Sequence, residues 1–284
     1  MTFFNSVHLD KEKCMGCINC IKRCPTQAIR VRNGKAAIIK EFCIDCGECI
    51  KICPHHAKLA TYDPLSVIND YEYTVALPAP SLYAQFNNLD DVNIVLRGLR
   101  HMGFDNVYEV AAAAEIVSEA SRKYIREHMD GRPFISSACP SVVRLISVRF
   151  PNLIEHILPI AAPIDVAAEK AAELAMAETG LPREKIGIIF ISPCPAKMTA
   201  VKSPIGFESS QVDAVVAMKE VYPVLLGHMK DAACEDEDLA LSGKIGISWG
   251  RSGGEAGGLL TDSYLAADGI ENVIKVLEDL EDQK

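Results

Sequence analysis

From Tyr73 onward, short apolar runs alternate with longer stretches in which apolar residues recur every three or four positions. The runs Tyr73 to Leu77, Val107 to Val110, Phe134 to Ser136, Lys185 to Ser192, Val212 to Ala217 and Lys244 to Ser248 predict strands. The helical period predicts helices over Val92 to Met102, Ala111 to His128, Ser141 to Phe150, Ile164 to Glu178, Lys219 to Lys230 and Leu259 to Ala267. Strands that alternate with helices predict a parallel sheet covered on its faces, an α/β arrangement. A last pattern sets Ile270, Val273, Ile274, Leu277 and Leu280 on one helical face, four residues before the final Lys284. The expectation is that this sequence is the N-terminal part of a longer polypeptide.

The first sixty residues carry a different pattern, dense in cysteine up to Cys53. The segment Ala60-Thr-Tyr-Asp-Pro64 reads as an exit, which predicts a small α+β domain over 1–70 and a larger α/β domain over 71–284. A chain of 284 residues that is 49% hydrophobic can bury more than one core. No apolar run is long enough for a membrane helix, and Met1 to Lys13 lacks the apolar core of a signal peptide, so the expected location is cytoplasmic.

In that compartment eleven cysteines point to metal ligation or redox chemistry rather than to disulfides. Two runs repeat at an offset of 29 residues: Cys14-Met-Gly-Cys17-Ile-Asn-Cys20-Ile-Lys-Arg-Cys24-Pro25 and Cys43-Ile-Asp-Cys46-Gly-Glu-Cys49-Ile-Lys-Ile-Cys53-Pro54. In the C-x-x-C-x-x-C-x-x-x-C-P arrangement three thiolates hold one [4Fe-4S] cubane and the fourth serves the other. The expected sets are therefore Cys14, Cys17, Cys20 and Cys53 for one cluster and Cys43, Cys46, Cys49 and Cys24 for the second, giving a ferredoxin-like domain. Pro25 and Pro54 turn each fourth thiolate away from its own run, and Gly16 and Gly47 permit close approach of the backbone. Zinc in a C-x-x-C site and free thiols are the competing readings.

Net charge is −9, yet residues 1 to 60 hold 10 Lys and Arg against 5 Asp and Glu, and the remainder holds 19 against 33. Two cubanes of about two negative charges each nearly cancel the basic excess. The acidic remainder speaks against a nucleic-acid partner.

Two further cysteines follow predicted strands, in Ser136-Ser137-Ala138-Cys139-Pro140 and in Ser192-Pro193-Cys194-Pro195-Ala196-Lys197. The carboxyl edge of a parallel sheet binds ligands, and helix N-termini there favour anions. Pro140 suits the first position of a helix. From spacing alone, buried core cysteines of the ordinary kind explain the pair equally well. Lys197 would place an ammonium beside a bound anion, or lie in solvent.

These two motifs resemble the first two signature motifs of the iron-only ([FeFe]) hydrogenase catalytic domain, which a ferredoxin-like repeat often precedes. The resemblance implies that Cys139 and Cys194 ligate the cubane of an H-cluster, a third [4Fe-4S] group joined to a diiron subsite. It gives Lys197 the catalytic role of donor to a cyanide ligand, and makes the reaction the interconversion of H2 with protons and electrons. Ala138 departs from the pattern, since catalytic members carry a proton-transferring Cys there; with Ser192-Pro-Cys-Pro-Ala-Lys it is similar to a hydrogen-sensing branch. The family's third motif, with its two Cys ligands, has no counterpart after Cys234, which stands in the acidic stretch Ala-Ala-Cys-Glu-Asp-Glu-Asp. The expectation is that the sequence as it stands does not complete an H-cluster.

The Gly-rich stretch Trp249 to Gly258 matches no phosphate-binding fingerprint and reads as a tight turn, although the resemblance places such a loop near the active site. His8, His55, His56, His101, His128, His156 and His228 lack ligand spacing and read as surface or capping residues, and Glu115 with Glu119 as a solvated helix face.

Three readings follow. The first is an iron–sulfur electron-transfer protein, the N-terminal part of a hydrogenase-like enzyme or hydrogen sensor, with a ferredoxin-like redox partner or a C-terminal signalling domain. The second is a non-catalytic electron carrier or iron–sulfur scaffold. The third is a redox-dependent interaction module.

Overall fold

The structure, a computed structural model, describes residues 4–205 and 209–282. The Cys-rich segment folds as β1 (Val7–Leu9), α1 (Asn19–Lys22), β2 (Ile29–Arg32), β3 (Lys35–Ile38), α2 (Glu48–Lys51) and β4 (Lys58–Ala60). β2 and β3 form a hairpin whose turn, Asn33-Gly34, has φ of 52° and 71° at its two central residues. Two positive φ values define the turn twist that fits a two-residue hairpin, and Asn-Gly is the pair best suited to it. β1 closes the unit by pairing antiparallel with β4, His8 opposite Leu59.

Gly16, at φ 70°, lies against this hairpin turn: a Cβ there would come within 2.1 Å of the Gly34 carbonyl oxygen. Only glycine leaves room for that approach. The buried centre of the unit is Cys14, Cys20, Ile29, Ala36 and Ala57, with Cys24, Cys49 and Cys53 packed against it. Five of the eleven residues of that cluster, counting Leu9, Ile21 and Ile38 at its edge, are cysteines, so the unit buries little apolar surface of its own.

The larger unit continues through β5 (Tyr73–Pro78), α3 (Asn93–His101), β6 (Asn106–Val107), α4 (Val110–Glu127), α5 (Pro140–Arg149), α6 (Pro163–Thr179), β7 (Ile186–Ser192), α7 (Pro195–Lys202), β8 (Ala214–Ala217), α8 (Met218–Ala232), α9 (Lys244–Ser248), α10 (Gly254–Gly257) and α11 (Ile270–Asp282). Its sheet has the order β6-β5-β7-β8 and every pairing is parallel. β7, Ile-Gly-Ile-Ile-Phe-Ile-Ser, is buried at all seven positions. A strand covered on both faces needs such a continuous apolar run. α6 presents Ala167, Ala168, Ala171, Ala172 and Ala175 inward, which lets it lie close on the sheet; Pro163 opens it and Gly180, at φ 69°, ends it. α3 packs on α8 and α4 on α6.

A second core joins the units: Ile44 of the Cys-rich segment packs with Leu145, Ile146 and Phe150 of α5 and its exit, Leu153, and Ile270 and Leu277 of α11. The apolar face expected at Ile270 to Leu280 is the one that α11 turns to this core.

Three expected elements differ. Phe134 to Ser136 forms no strand and makes one parallel bridge, Ile135 to Ile157. Lys244 to Ser248 is helical: the alternation Ile-Gly-Ile looks strand-like, but Gly246 seats this turn on α4, where its N–H donates to Glu115 (3.0 Å). Leu259 to Ala267 is not a helix, and Leu260, Tyr264 and Leu265 lie exposed at 70%, 50% and 68%. An amphipathic period without a covering surface does not hold a short helix together. β6 is also shorter than expected, because Val110 already starts α4.

Candidate functional site

Two cavities occupy the Cys-rich unit. One, of about 300 Å³, is lined by Cys14, Cys17, Cys20 and Cys53 together with Leu9, Ala57 and Lys58. The other, of about 350 Å³, is lined by Cys43, Cys46, Cys49 and Cys24 together with Ile29, Asp45 and Gly47. Each thus takes three thiols from one run and the fourth from the other. Among the described residues no three His, Cys, Asp or Glu side chains converge on one ion position; each set of four thiols instead lines a shared cavity.

The repeat extends to the backbone. The Ala28 N–H donates to Cys24 Sγ at 3.2 Å, and 29 residues on the Ala57 N–H donates to Cys53 Sγ at 3.3 Å. Gln27 and His56 share a left-handed φ, 53° and 48°, that aims these amides. The Ala36 N–H donates to Cys14 Sγ at 3.4 Å. N–H donors onto sulfur favour thiolate.

Burial pushes the Cys46 and Cys49 thiols up, to about 11 and about 12. Cys43 moves further the same way through burial and the adjacent Asp45 carboxylate. At Cys14 burial also pushes upward, but the amides of Ala36 and Gly16 and the charges of Lys35 and Lys58 outweigh it and the thiol is lowered.

Lys58 is 2% exposed and its Nζ has no hydrogen-bond partner among the described residues. A lone buried ammonium is costly. A polyanionic cluster in the neighbouring cavity supplies the missing counter-charge, so thiols, amides and orphan cation together fit a thiolate-ligated iron–sulfur group.

In the larger unit Cys139 is the N-cap of α5 with Pro140 at its first position, and Cys194 is the N-cap of α7 with Pro195 at its first position. Cys194 follows the sheet strand β7, whereas Cys139 follows only the lone bridge at Ile135. The two stand close: burial, then the nearby Cys139, raise the Cys194 thiol, while Lys197 opposes. Cys139 is exposed, which removes the ordinary core-cysteine reading for it.

Lys197 Nζ donates to the Ala138 carbonyl oxygen at 2.7 Å, so the ammonium reaches across from α7 to the loop before α5. Two partly buried carboxyls feel its charge. Burial raises Glu255 against the Ser136 hydroxyl and Lys197, and burial raises Asp165 against Lys197. Ser136 Oγ donates to Glu255, which brings the Gly-rich turn beside Cys139.

Both helices are tied to the loop between Cys43 and Cys46. Ser141 Oγ, on α5, donates to the Ile44 carbonyl at 3.0 Å, and Thr199 Oγ1, on α7, donates to Asp45 Oδ2 at 3.0 Å. Asp45 also accepts from the Val7 N–H and from Asn5 Nδ2, each at 2.8 Å. Gly47 lies 3.7 Å from the Pro195 ring, measured from where its Cβ would stand. Neither cavity is lined by a residue of the larger unit, but the loop 43–47 that walls the second is bonded to α5 and α7 beside Cys139 and Cys194.

Cys234 is exposed beyond α8, where its Sγ donates to the Lys230 carbonyl, and takes no part in the site. Glu115 anchors α9, correcting the solvated-face reading, whereas Glu119 pairs with Arg122 at the surface. His156 is buried, its Nδ1 2.8 Å from the Pro133 carbonyl, unlike the surface role expected of it. Sequence reasoning passed over Lys58, Asp45, Thr199 and Glu255. For the first two a signal existed, since the 29-residue offset pairs them with Ile29 and Gly16.

Comparison with known families places this arrangement. The family described as iron only hydrogenase large subunit, C-terminal domain, matches residues 72–273, and a 4Fe-4S dicluster domain matches residues 6–54. The chain belongs to the iron-only hydrogenase large-subunit family and carries two [4Fe-4S] clusters in its N-terminal domain. It is 28% identical over 200 residues to the NADP-reducing hydrogenase subunit HndD of Solidesulfovibrio fructosivorans, covering 65% of this chain and 34% of that one.

Among solved structures, the [FeFe]-hydrogenase HydA(deltaEFG) is similar at 18% identity and TM-score 0.47, over 64% of this chain and 50% of that one. Apo [FeFe]-hydrogenase HydA1 of Chlamydomonas reinhardtii is similar at 19% identity and TM-score 0.44, over 61% and 48%. The chain spans about a third of the curated relative's length and about half of these solved chains. No described helix is long and apolar enough to cross a membrane.

Proposed function

We propose that this chain is the electron-transfer part of a hydrogen-converting or hydrogen-sensing protein, with a domain over 1–70 that holds two cubanes and a domain over 71–284 that holds part of a third metal centre. In this reading Cys14, Cys17, Cys20 and Cys53 ligate an outer cluster, and Cys43, Cys46, Cys49 and Cys24 an inner one. When bound, each cubane supplies a site that accepts and returns one electron. Cys139 and Cys194 would ligate iron at the third centre, and Lys197, fixed by the Ala138 carbonyl, would donate to an anionic group there.

The observation that carries the reading is the junction itself: the two Cys-Pro helix starts are bonded through Ser141 and Thr199 to the very loop that holds Cys43 and Cys46. Such a bridge has no use in a core-cysteine account. Hydrogen and protons as substrates, the cytoplasmic location and a ferredoxin-like redox partner or C-terminal signalling domain belong to the same proposal.

Two thiolates are half of a cubane's donor set, and among the described residues no third cysteine lies at this site. The residues present do not hold a complete H-cluster, and no catalytic step is routed through one. Ala138, with its methyl group, offers no proton relay beside Cys139. That observation favours sensing or plain electron carriage over rapid turnover.

Iron and acid-labile sulfide per chain, measured after anaerobic reconstitution of the wild type and of a Cys139→Ala, Cys194→Ala double variant, test the proposal. About twelve irons falling to about eight support a third cluster on these cysteines. About eight in both overturn it, leaving a carrier of two clusters.

A further inference from the structure

The two halves of the Cys-rich unit repeat closely in ligand spacing, amide-to-sulfur bonds and strand pairing, so departures from the repeat identify what distinguishes one cluster site from the other. Two departures are charged and buried. Lys58 stands where the first half has Ile29, and Asp45 where it has Gly16. Lys58 is 2% exposed and lines the cavity of Cys14, Cys17, Cys20 and Cys53, its Nζ without a partner among the described residues. Asp45 is 1% exposed and lines the cavity of Cys43, Cys46, Cys49 and Cys24. Four protein atoms donate or lie close to it as donors: the Val7 N–H, Asn5 Nδ2, Thr199 Oγ1 and, more distantly at 3.8 Å, Cys43 Sγ.

We infer that Lys58 and Asp45 make the two clusters unequal electron acceptors, the outer cluster of Cys14 holding an electron more strongly than the inner cluster of Cys43. This deepens the electron-transfer reading and rests on it. On reduction a cubane takes one electron from a one-electron donor, its core passing from 2+ to 1+, so that with four thiolates the charge goes from about −2 to about −3. Net charge near a cluster is one of the factors that set its potential. An ammonium in the wall stabilises the more negative, reduced form, and a carboxylate destabilises it; burial strengthens both through the low local dielectric.

The two substitutions of the repeat act in one direction: the cation raises the outer potential and the anion lowers the inner one. The charge of Lys58 also reaches Cys49 of the inner set, which works against the difference, while Asp45 lines only the inner cavity.

The consequence is directional. The loop of the inner cluster abuts Cys139 and Cys194, so an electron that reached the inner cluster from that side would pass downhill to the outer one, near the exposed Met15 and Ile18. That ordering suits a protein that reports or exports electrons taken from hydrogen. Delivering electrons inward from a donor works against the gradient. Lys58 and Asp45 act through the clusters and are positioning residues, not catalytic ones.

The test is an EPR-monitored redox titration of the reconstituted full chain, with dithionite as reductant and mediator dyes. The expected wild-type result is two one-electron steps from the Cys-rich unit, recognised as those that persist in the Cys139→Ala, Cys194→Ala variant, whose equilibrium constants differ at least tenfold, which is 59 mV for a one-electron couple. Lys58→Met is expected to lower the higher step, and Asp45→Asn to raise the lower one. Ile29→Lys, which places the cation in the inner wall, is expected to raise the lower step as well. If Lys58→Met loses iron, the other two variants decide.

A single unresolved potential for the two clusters of the Cys-rich unit, or variants that hold as much iron as the wild type and leave both steps in place, overturns the inference. A wild type that holds fewer than about eight irons would instead remove the electron-transfer reading itself.

Discussion

At the scale of single residues, the thiols were the most legible part of the sequence, because cluster ligation imposes a spacing that little else imposes. Cys139, Cys194 and Lys197 needed the resemblance, since their order along the chain says nothing of Lys197 reaching the Ala138 carbonyl 59 residues away. Glu255 and Thr199 were illegible for a similar reason: a Glu in a Gly-rich turn and a Thr in a short helix acquire meaning only from what they face. Thr199 is the sharpest case. Its hydroxyl accepts the Ser6 N–H at 3.0 Å and donates to Asp45 at 3.0 Å, both buried. Thr199→Val keeps the shape and removes both bonds, leaving a buried amide without an acceptor and a carboxylate short of a donor. The expected loss is about 1–3 kcal/mol in denaturant unfolding of the reconstituted protein, with Thr199→Ser close to wild type. Equal stability of the Val and Ser variants would show that this junction is not held by the hydroxyl.

Elements were legible where one rule dominated. β7 is apolar at six of its seven positions and α4 and α6 are long and periodic, and these lie where the pattern put them to within two residues. Lys244 to Ser248 was misread because five residues with Ile at alternate positions satisfy a strand template and a single helical turn equally well. Its conformation is decided by tertiary contact: a Cβ at Gly246 would fall 2.1 Å from the Ala111 carbonyl oxygen, so the helix exists where two backbones touch. Trp249, at its end, donates Nε1–H to Ser118 Oγ at 3.0 Å and so reports on the docking. Gly246→Ala is expected to force α9 off α4, at a cost of about 1–3 kcal/mol by the usual penalty of overpacking. Because this is the chain's one tryptophan, the lost docking should appear as a red shift and weaker protection from quenchers in its fluorescence. Unchanged emission would mean that the two backbones accommodate the added methyl group without parting.

At the scale of the whole molecule, two units have unequal means of standing alone. The larger one has a continuous core under a four-stranded parallel sheet, with Leu82, Leu96, Leu99 and Ile188 fully buried. The Cys-rich one has strands of three and four residues around a centre of thiols, alanines and one isoleucine. In a unit of this kind the free energy of metal binding is in large part the free energy of folding. Stripping iron by oxidation in the presence of a chelator should therefore act unevenly. Amide exchange in residues 6–60 is expected to accelerate toward that of an unfolded chain, while β5, β7 and β8 keep their protection. The disturbance should spread along one route. Ile44 packs with Leu145 and Leu277 and accepts from Ser141, so α5 and α11 should lose intermediate protection and α3 and α8, packed on each other away from this core, should lose none. Loss of protection in β7 equal to that at Cys43 would make the chain one cooperative unit and remove the separate role assigned to the clusters. Retained protection around Cys14 and Cys43 after iron is gone would show that the small apolar core folds without them. The graded outcome is the one that the core composition requires, because the cluster-bearing loops meet the larger unit at Ile44, Asp45, Arg23 and Pro25, which contact α5, α7 and α11 rather than the sheet.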